Sequence, residues 1–353
     1  MHSPIPALPG IIELSANQPA ARPYLGGSGI ARFRGIEQPD SHVPEDFLGS
    51  ATEVFAGGGV GLTVLPDGRP LREALAEDPV GFLGADLAET LPVGQCGVLT
   101  KLLSTDGRLF IHAHPDDAFA TRHGLGVCGK TESWLILDID PAHPAEVLLG
   151  FRRDVDRDEL AQWFEEQDVA AMTEAMHRIP VAPGDTFHVP AGLPHGIGPG
   201  ITLLELQQPT DLSILLEYEG YPGIDRSSAL LGISRDTALS VFRRETLESE
   251  ELDELRATRS SRGRAQQLFP DAADNFYTAL RFRPDAGAGS TEVPAAFSIA
   301  VVLGGTGRLS TAADSCTVGR GSVLLVRHDA GPLRIDATLD VVLCSPAPPL
   351  RAA

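Results

Sequence analysis

The chain of 353 residues has almost no lysine: among its 28 basic side chains only Lys101 and Lys130 are not arginine. A bias toward arginine codons explains most of that shortage, so the count alone assigns no function. Basic residues are also outnumbered, 28 against 48 acidic ones, which gives a formal net charge of −20. A surface of that sign repels nucleic acid and anionic membranes and excludes both as partners. The four cysteines, Cys96, Cys128, Cys316 and Cys344, are widely separated and form no CxxC pair. Neither a disulfide framework nor a cysteine-based zinc site is expected, and the pattern fits a reducing compartment. No window approaches the roughly 18 uninterrupted apolar residues of a membrane span. The first ten residues lack a basic segment followed by an apolar one, as a secretory leader would have. The expectation is a soluble, cytoplasmic protein.

What is present is turn-forming residue in quantity, with 37 glycines and 28 prolines, alongside 42 % hydrophobic residues. Many tight turns between short strands account for both. The length suits two ordinary domains or one large all-β domain. Helices are expected at 70–76 and 79–90. Strands are expected at 98–103 and 108–113, then a short helix with Pro115 in its first turn. Strands 133–138 and 145–151 precede a helical insertion at about 154–178. There Asp156 caps a helix over 157–166, and Asp168 caps a second over 169–177. Strands resume at 178–181, 186–189, 201–206 and 212–218. Residues 233–263 read as a charged helical linker, and strand patterning returns from 264 to the end. The expected division is therefore 1–232, 233–263 and 264–353, with a β unit in each half.

Three segments of the first half carry chemistry. In the run Ile111–Asp117, His112 and His114 are two residues apart in a strand, so both point to the same face. Two imidazoles on one strand face suit a divalent transition metal. Glu132 ends the segment Gly129–Lys130–Thr131–Glu132 and opens the apolar strand SWLILD. A buried carboxylate there is costly unless it is paired or binds a metal. Finally, Gly184 to His195 follows the spacing G-x5-P-x-G-x2-H, a turn, a strand, a Pro/Gly corner and a histidine. Together these segments supply His, His, Glu and His, a ligand set that leaves room for water or substrate.

The last segment resembles the second characteristic motif of the cupin superfamily. The wider set resembles the class I mannose-6-phosphate isomerase family in its short bacterial form. The resemblance rests on AHPDD (Ala113–Asp117), GKTE (Gly129–Glu132), VPAGLPHGIGPG (Val189–Gly200) and LELQQPTD (Leu204–Asp211). PEDFLGS (Pro44–Ser50), LTKLLST (Leu99–Thr105) and FSIAVVLGGTGRL (Phe297–Leu309) add to it. It implies a mainly β protein of two cupin domains, each a double-stranded jelly roll, with a small helical insertion.

The resemblance also implies roles. The family binds one zinc through Gln, His, Glu and His; His114, Glu132 and His195 match three of these, and His112 stands in the glutamine position. A His-rich set would also take Mn, Fe, Ni or Co. Lys130 and Glu205 match the family's active-site lysine and glutamate, and Asp211 matches a further motif position. Two positions depart from the pattern: Leu215 stands where the family has an active-site arginine, and Tyr218 where it has an aspartate. Arg226, Arg152 or Arg153 could supply the missing guanidinium, and Arg226 is taken with Asp211 as substrate-binding. The implied activity is metal-dependent conversion of mannose 6-phosphate to fructose 6-phosphate, with Glu205 or Lys130 handling protons. The alternatives are an isomerase or epimerase of an unphosphorylated sugar and a non-catalytic sugar-binding cupin.

Overall fold

Strand Ile201–Gln207 shows how the architecture arises. With period-two alternation, Ile201 and Leu203 enter one apolar core while Leu204 and Leu206 enter another. A strand covered on both faces has no place for a solvent-facing polar row, which is why it reads as nearly continuous apolar sequence. The computed structural model describes residues 8–19, 22–37, 43–54, 57–261, 263–285 and 287–348. Its paired strands are antiparallel.

Two five-stranded sheets form the first unit. One runs Glu45–Leu48, Leu99–Ser104, Ile201–Gln207, Glu132–Ile139, Thr186–Val189; the other runs Ile214–Leu215, His112–Ala113, His195–Ile197, Glu146–Phe151, Met176–Pro180. Trp134, Ile136, Val147, Leu149, Phe187 and Leu203 fill the space between them. A six-stranded and a four-stranded sheet form the second unit around Ala300, Val302, Leu309, Leu324 and Val341. A third cluster joins the units back to back, setting Leu102, Leu135, Leu204 and Leu206 beside Tyr277, Val301, Leu325 and Val342. Burying each such side chain is worth about 1.5–3 kcal/mol, so this seam is a core rather than a loose contact. The mainly β, paired-sheet architecture agrees with the expected fold class.

Several elements differ from the expectation. Strand Ile11–Glu13 pairs with Val323–Val326 and so completes the edge of the second unit's sheet. The expected linker at 233–263 does not hang free over its described residues 233–261, because Leu239, Phe242, Leu247 and Leu255 are buried in the first unit's core. The helix expected at 79–90 is two helices, Pro79–Leu83 and Ala85–Thr90, broken at Gly84. Gly84 has φ +81°, and a Cβ there would lie 2.7 Å from the His328 ring, so no other residue fits without strain. Helix Asp117–Arg122 starts after Asp116, whose side chain accepts from the Phe119 N–H, so Pro115 precedes the cap. The insertion is helical as expected, capped by Asp156 and Asp168. Its second helix stops at Glu174 because Met176–Pro180 is drawn into the sheet beside Glu146–Phe151.

Candidate metal centre and its cavity

His112 and His195 are direct partners across neighbouring antiparallel strands. His114 follows His112 by two residues, just beyond the end of the short strand His112–Ala113. The three rings therefore converge, with centroids 4.0–4.8 Å apart. All three are buried, and their ligand nitrogens lie within 4.8 Å of one another, a group that could hold a metal ion. Each ring is oriented by a backbone carbonyl: His112 Nδ1 by Phe110 at 3.0 Å, His114 Nδ1 by Leu212 at 2.8 Å, and His195 Nδ1 by Leu193 at 2.8 Å. A carbonyl can only accept, so each Nδ1 carries the proton and each Nε2 presents a lone pair.

Glu132 meets that nitrogen cluster from the facing sheet. Its carboxylate lies 3.1 Å from His114 Nε2 and 3.3 Å from His195 Nε2. Acceptors then face acceptors at hydrogen-bond distance, an arrangement that is repulsive unless a cation lies among them. His195 Nε2 is buried and makes no hydrogen bond. Burial, then the neighbouring His195 and His114, hold the His112 imidazole well below its usual range; burial and the Lys130 charge bring His114 down to about 3. Neutral imidazoles are the form that binds metal. The Glu132 carboxylate is itself held in place by Trp134 Nε1 at 3.0 Å and Lys130 Nζ at 2.9 Å. Burial opposes its ionisation, yet the Lys130 charge keeps it well below the usual carboxylate range. The donor set and its surroundings fit a divalent cation.

A row of alternating charges leads away from this centre along the sheet. Lys130 lies 3.7 Å from Glu205, Glu205 3.2 Å from Lys101, Lys101 2.9 Å from Glu45, and Glu45 2.5 Å from Arg22. Arg22 in turn reaches Asp211 at 3.4 Å. The sheet register builds this row, because Glu205 faces Lys101 across the strand pair and Trp134 on its other side. Burial and the Glu132 charge push the Glu205 carboxyl up to about 7, against the pull of the two lysines. Glu45 is equally buried, but Arg22 and Lys101 overcome the burial and bring it down to about 2. Arg22, Tyr24, Glu45, Lys101, His112, Lys130, Glu132, Glu205, Asp211 and Ser213 all line one narrow cavity of about 40 Å³. A larger cleft of about 580 Å³ touches His114, Arg157 and Arg243. It contains none of the lysines or glutamates of the charged row.

The structure thus brings together His112, His114, Glu132, His195, Lys130, Glu205 and Asp211. It does not bring Arg226 to them. Arg226 starts a short surface helix, pairs with Glu165 and lies over the Phe164 ring. Arg152 and Arg153 are likewise exposed and paired, with Glu174 and Glu159. Leu215 is a core residue, the strand partner of His112, and Tyr218 packs on Phe164. Sequence reasoning missed Arg22, Glu45 and the role of Lys101. Glu45 and Lys101 fall in PEDFLGS and LTKLLST, but neither motif showed what they pair with. Arg22 gave no signal among so many arginines.

No protein-family model matches the sequence. Mannose-6-phosphate isomerase ManA of Bacillus subtilis (strain 168) is 34 % identical over 167 residues, 46 % of this chain; the chain spans half the length of that relative. Mannose-6-phosphate isomerase of Streptococcus mutans is 27 % identical over 282 residues, 78 % of this chain and 80 % of that protein. The crystal structure of mannose 6-phosphate isomerase from Bacillus subtilis superposes with a TM-score of 0.71 at 22 % identity, covering 95 % of this chain and 99 % of that one. The apo form of the Salmonella typhimurium enzyme gives 0.73 at 13 % identity, covering 97 % and 100 %. The chain has the fold of these mannose 6-phosphate isomerases and is related in sequence to proteins of that name.

Proposed function

We propose that the protein is a metal-dependent aldose–ketose isomerase acting on mannose 6-phosphate. The observation that carries this reading is the convergence of three buried histidines, two of them with Nε2 within 3.3 Å of the Glu132 carboxylate, beside a buried carboxyl flanked by two lysines. The similarity to mannose-6-phosphate isomerases supports the same activity. His112, His114, His195 and Glu132 would hold one divalent metal, with zinc favoured by the resemblance. Such an ion would polarise a sugar carbonyl or hydroxyl oxygen.

The remaining chemistry falls to the chain's own groups. Isomerisation moves a proton from the carbon next to a carbonyl to its neighbour. Glu205 is 2 % exposed and lines the cavity. Its contacts with the lysines, at 3.2 and 3.7 Å, are longer than the 2.9 Å that ties Lys130 to Glu132. Glu205 is therefore the freer of the two candidates to take the proton and return it, and Lys130 is assigned to holding Glu132 and donating to a substrate oxygen. A bound metal would draw the Glu205 carboxyl downward toward its ionised, basic form. Asp211 sits at the rim, where a sugar hydroxyl could reach it.

The test is a coupled isomerase assay with metal content measured on the same sample. One equivalent of metal and turnover of mannose 6-phosphate are expected. Bound metal without turnover of mannose 6-phosphate, mannose or lyxose would sink the enzyme reading and leave the sugar-binding alternative. Glu205→Gln should lower kcat by about 10²–10⁴-fold while metal stays bound. Glu132→Ala and His195→Ala should each lose the metal; unchanged metal in both would overturn the ligand assignment. Turnover of free mannose alone would favour the unphosphorylated-sugar reading, to which Leu215 in the core lends weight.

A further inference from the structure

The charged row ends in a residue that the sequence motifs leave out. Three cations line the cavity: Lys101, Lys130 and Arg22. The lysine side chains are 4 % and 5 % exposed, and each lies between two carboxylates. The Arg22 side chain is 19 % exposed, the most accessible of the three. Its contacts with Glu45 and Asp211 are unequal. Nε lies 2.5 Å from the buried Glu45, whereas Nη2 is 3.4 Å from both oxygens of Asp211, which is itself 11 % exposed. Glu45 thus anchors the root of the guanidinium, and the contact at its outer edge is long and easily exchanged.

An anionic oxygen entering the cavity can take the place of Asp211 at that edge. A planar guanidinium presents paired donors that match phosphate oxygens, which the two lysines cannot do. The balance of charge allows it. Four carboxylates, Glu45, Glu132, Glu205 and Asp211, face the three cations around this cavity, and a divalent metal at the histidines would leave the whole positive. Among the described residues lining the cavity, Arg22 is the only arginine.

We propose that Arg22 is the substrate-binding guanidinium of this site and that it grips the phosphate of the sugar, exchanging Asp211 for it. The assignment rests on the isomerase reading and names the residue that makes that site selective for a phosphorylated sugar. The test compares the metal-loaded protein with Arg22→Lys and Arg22→Gln. It measures kcat/KM on mannose 6-phosphate and on mannose, with metal content and melting temperature alongside. Arg22→Gln should reduce kcat/KM for mannose 6-phosphate at least tenfold more than for mannose, mainly through KM. Arg22→Lys, which keeps a cation beside Glu45, should fall between. Equal losses on the two sugars, or no loss on either, overturn the assignment.

Calorimetric binding of the same two sugars separates this idea from the isomerase reading. If the wild type turns over neither sugar, the isomerase reading fails. Arg22 is still upheld if Arg22→Gln weakens mannose 6-phosphate binding at least tenfold more than mannose binding, and rejected if it does not. If Arg22→Gln does not fold, Arg22→Lys carries the same comparison, with a selective weakening of at least threefold expected and none overturning the proposal.

Discussion

The two β units share one architecture and fill it differently. In the first, the interior around the candidate metal centre carries Glu45, Lys101, Lys130, Glu132, Glu205 and, from the facing sheet, three histidines, all buried. In the second, the matching interior is aliphatic and aromatic: Phe282, Ala300, Val302, Leu309, Leu324 and Val341. Its buried polar residues among those described are Arg264, Ser298 and Arg327. Arg264 donates to the carbonyls of Arg283, Asp336 and Leu339 and so ties loops together rather than opening a site. Buried charge costs several kcal/mol per ion unless it is paired, and the first unit meets that cost with an unbroken row of ion pairs. The second unit supplies apolar backing: the outer face of the charged sheet packs against Tyr277, Val301 and Leu325. One unit carries the candidate site, and the other backs its sheet with apolar side chains.

Lys101→Met is the sharpest way to break this contrast. It strips one partner from both Glu45 and Glu205 inside the first unit. The expected loss is about 4 kcal/mol in a urea titration, with isomerase activity lost as well. A loss under 1 kcal/mol would mean that the row is not held by its ion pairs. Leu324→Ala is the counterpart in the second unit, where Leu324 is fully buried. It should cost about 3 kcal/mol yet leave metal content and kcat per folded molecule within twofold of wild type. A selective fall in kcat would show that the second unit does more than support.

The smallest effect is expected at the seam. His188 is buried beside Ser133, whose hydroxyl also meets Tyr277 of the second unit. Burial lowers its imidazole from 6.5 to about 4. The folded state therefore stays neutral where the unfolded chain takes up a proton. Stability from this group is complete above pH 6.5, falls as the pH drops toward 4, and changes no further below that. At pH 5 the loss is about 2 kcal/mol. The difference in stability between wild type and His188→Asn should show this slope between pH 6.5 and 4; a flat difference would place the protonated ring in contact with water.

Much of this was legible in the chain. Period-two alternation, turn residues and aspartate caps are local, and they gave most strands and both insertion helices. The metal ligands were legible because chemistry dictates their type and spacing: His112 and His114 lie two residues apart, and His195 closes a fixed turn-and-corner pattern. Short hydrophilic strands such as Ala265–Gln267 and Ser315–Gly319 escaped notice, since their pairing comes from neighbours rather than from their own residues. The partners of the charged row were hidden for the same reason. Arg22, Glu45, Lys101 and Glu205 are far apart along the chain; the register of adjacent strands sets Lys101 2.9 Å from Glu45 and 3.2 Å from Glu205, and Arg22, outside the sheet, reaches Glu45 at 2.5 Å. The sequence determined which residues could bind a metal; the tertiary structure decided which arginine, among 26, shares their cavity. Ligand geometry is written in local spacing, whereas charge pairing across sheets depends on distance through space.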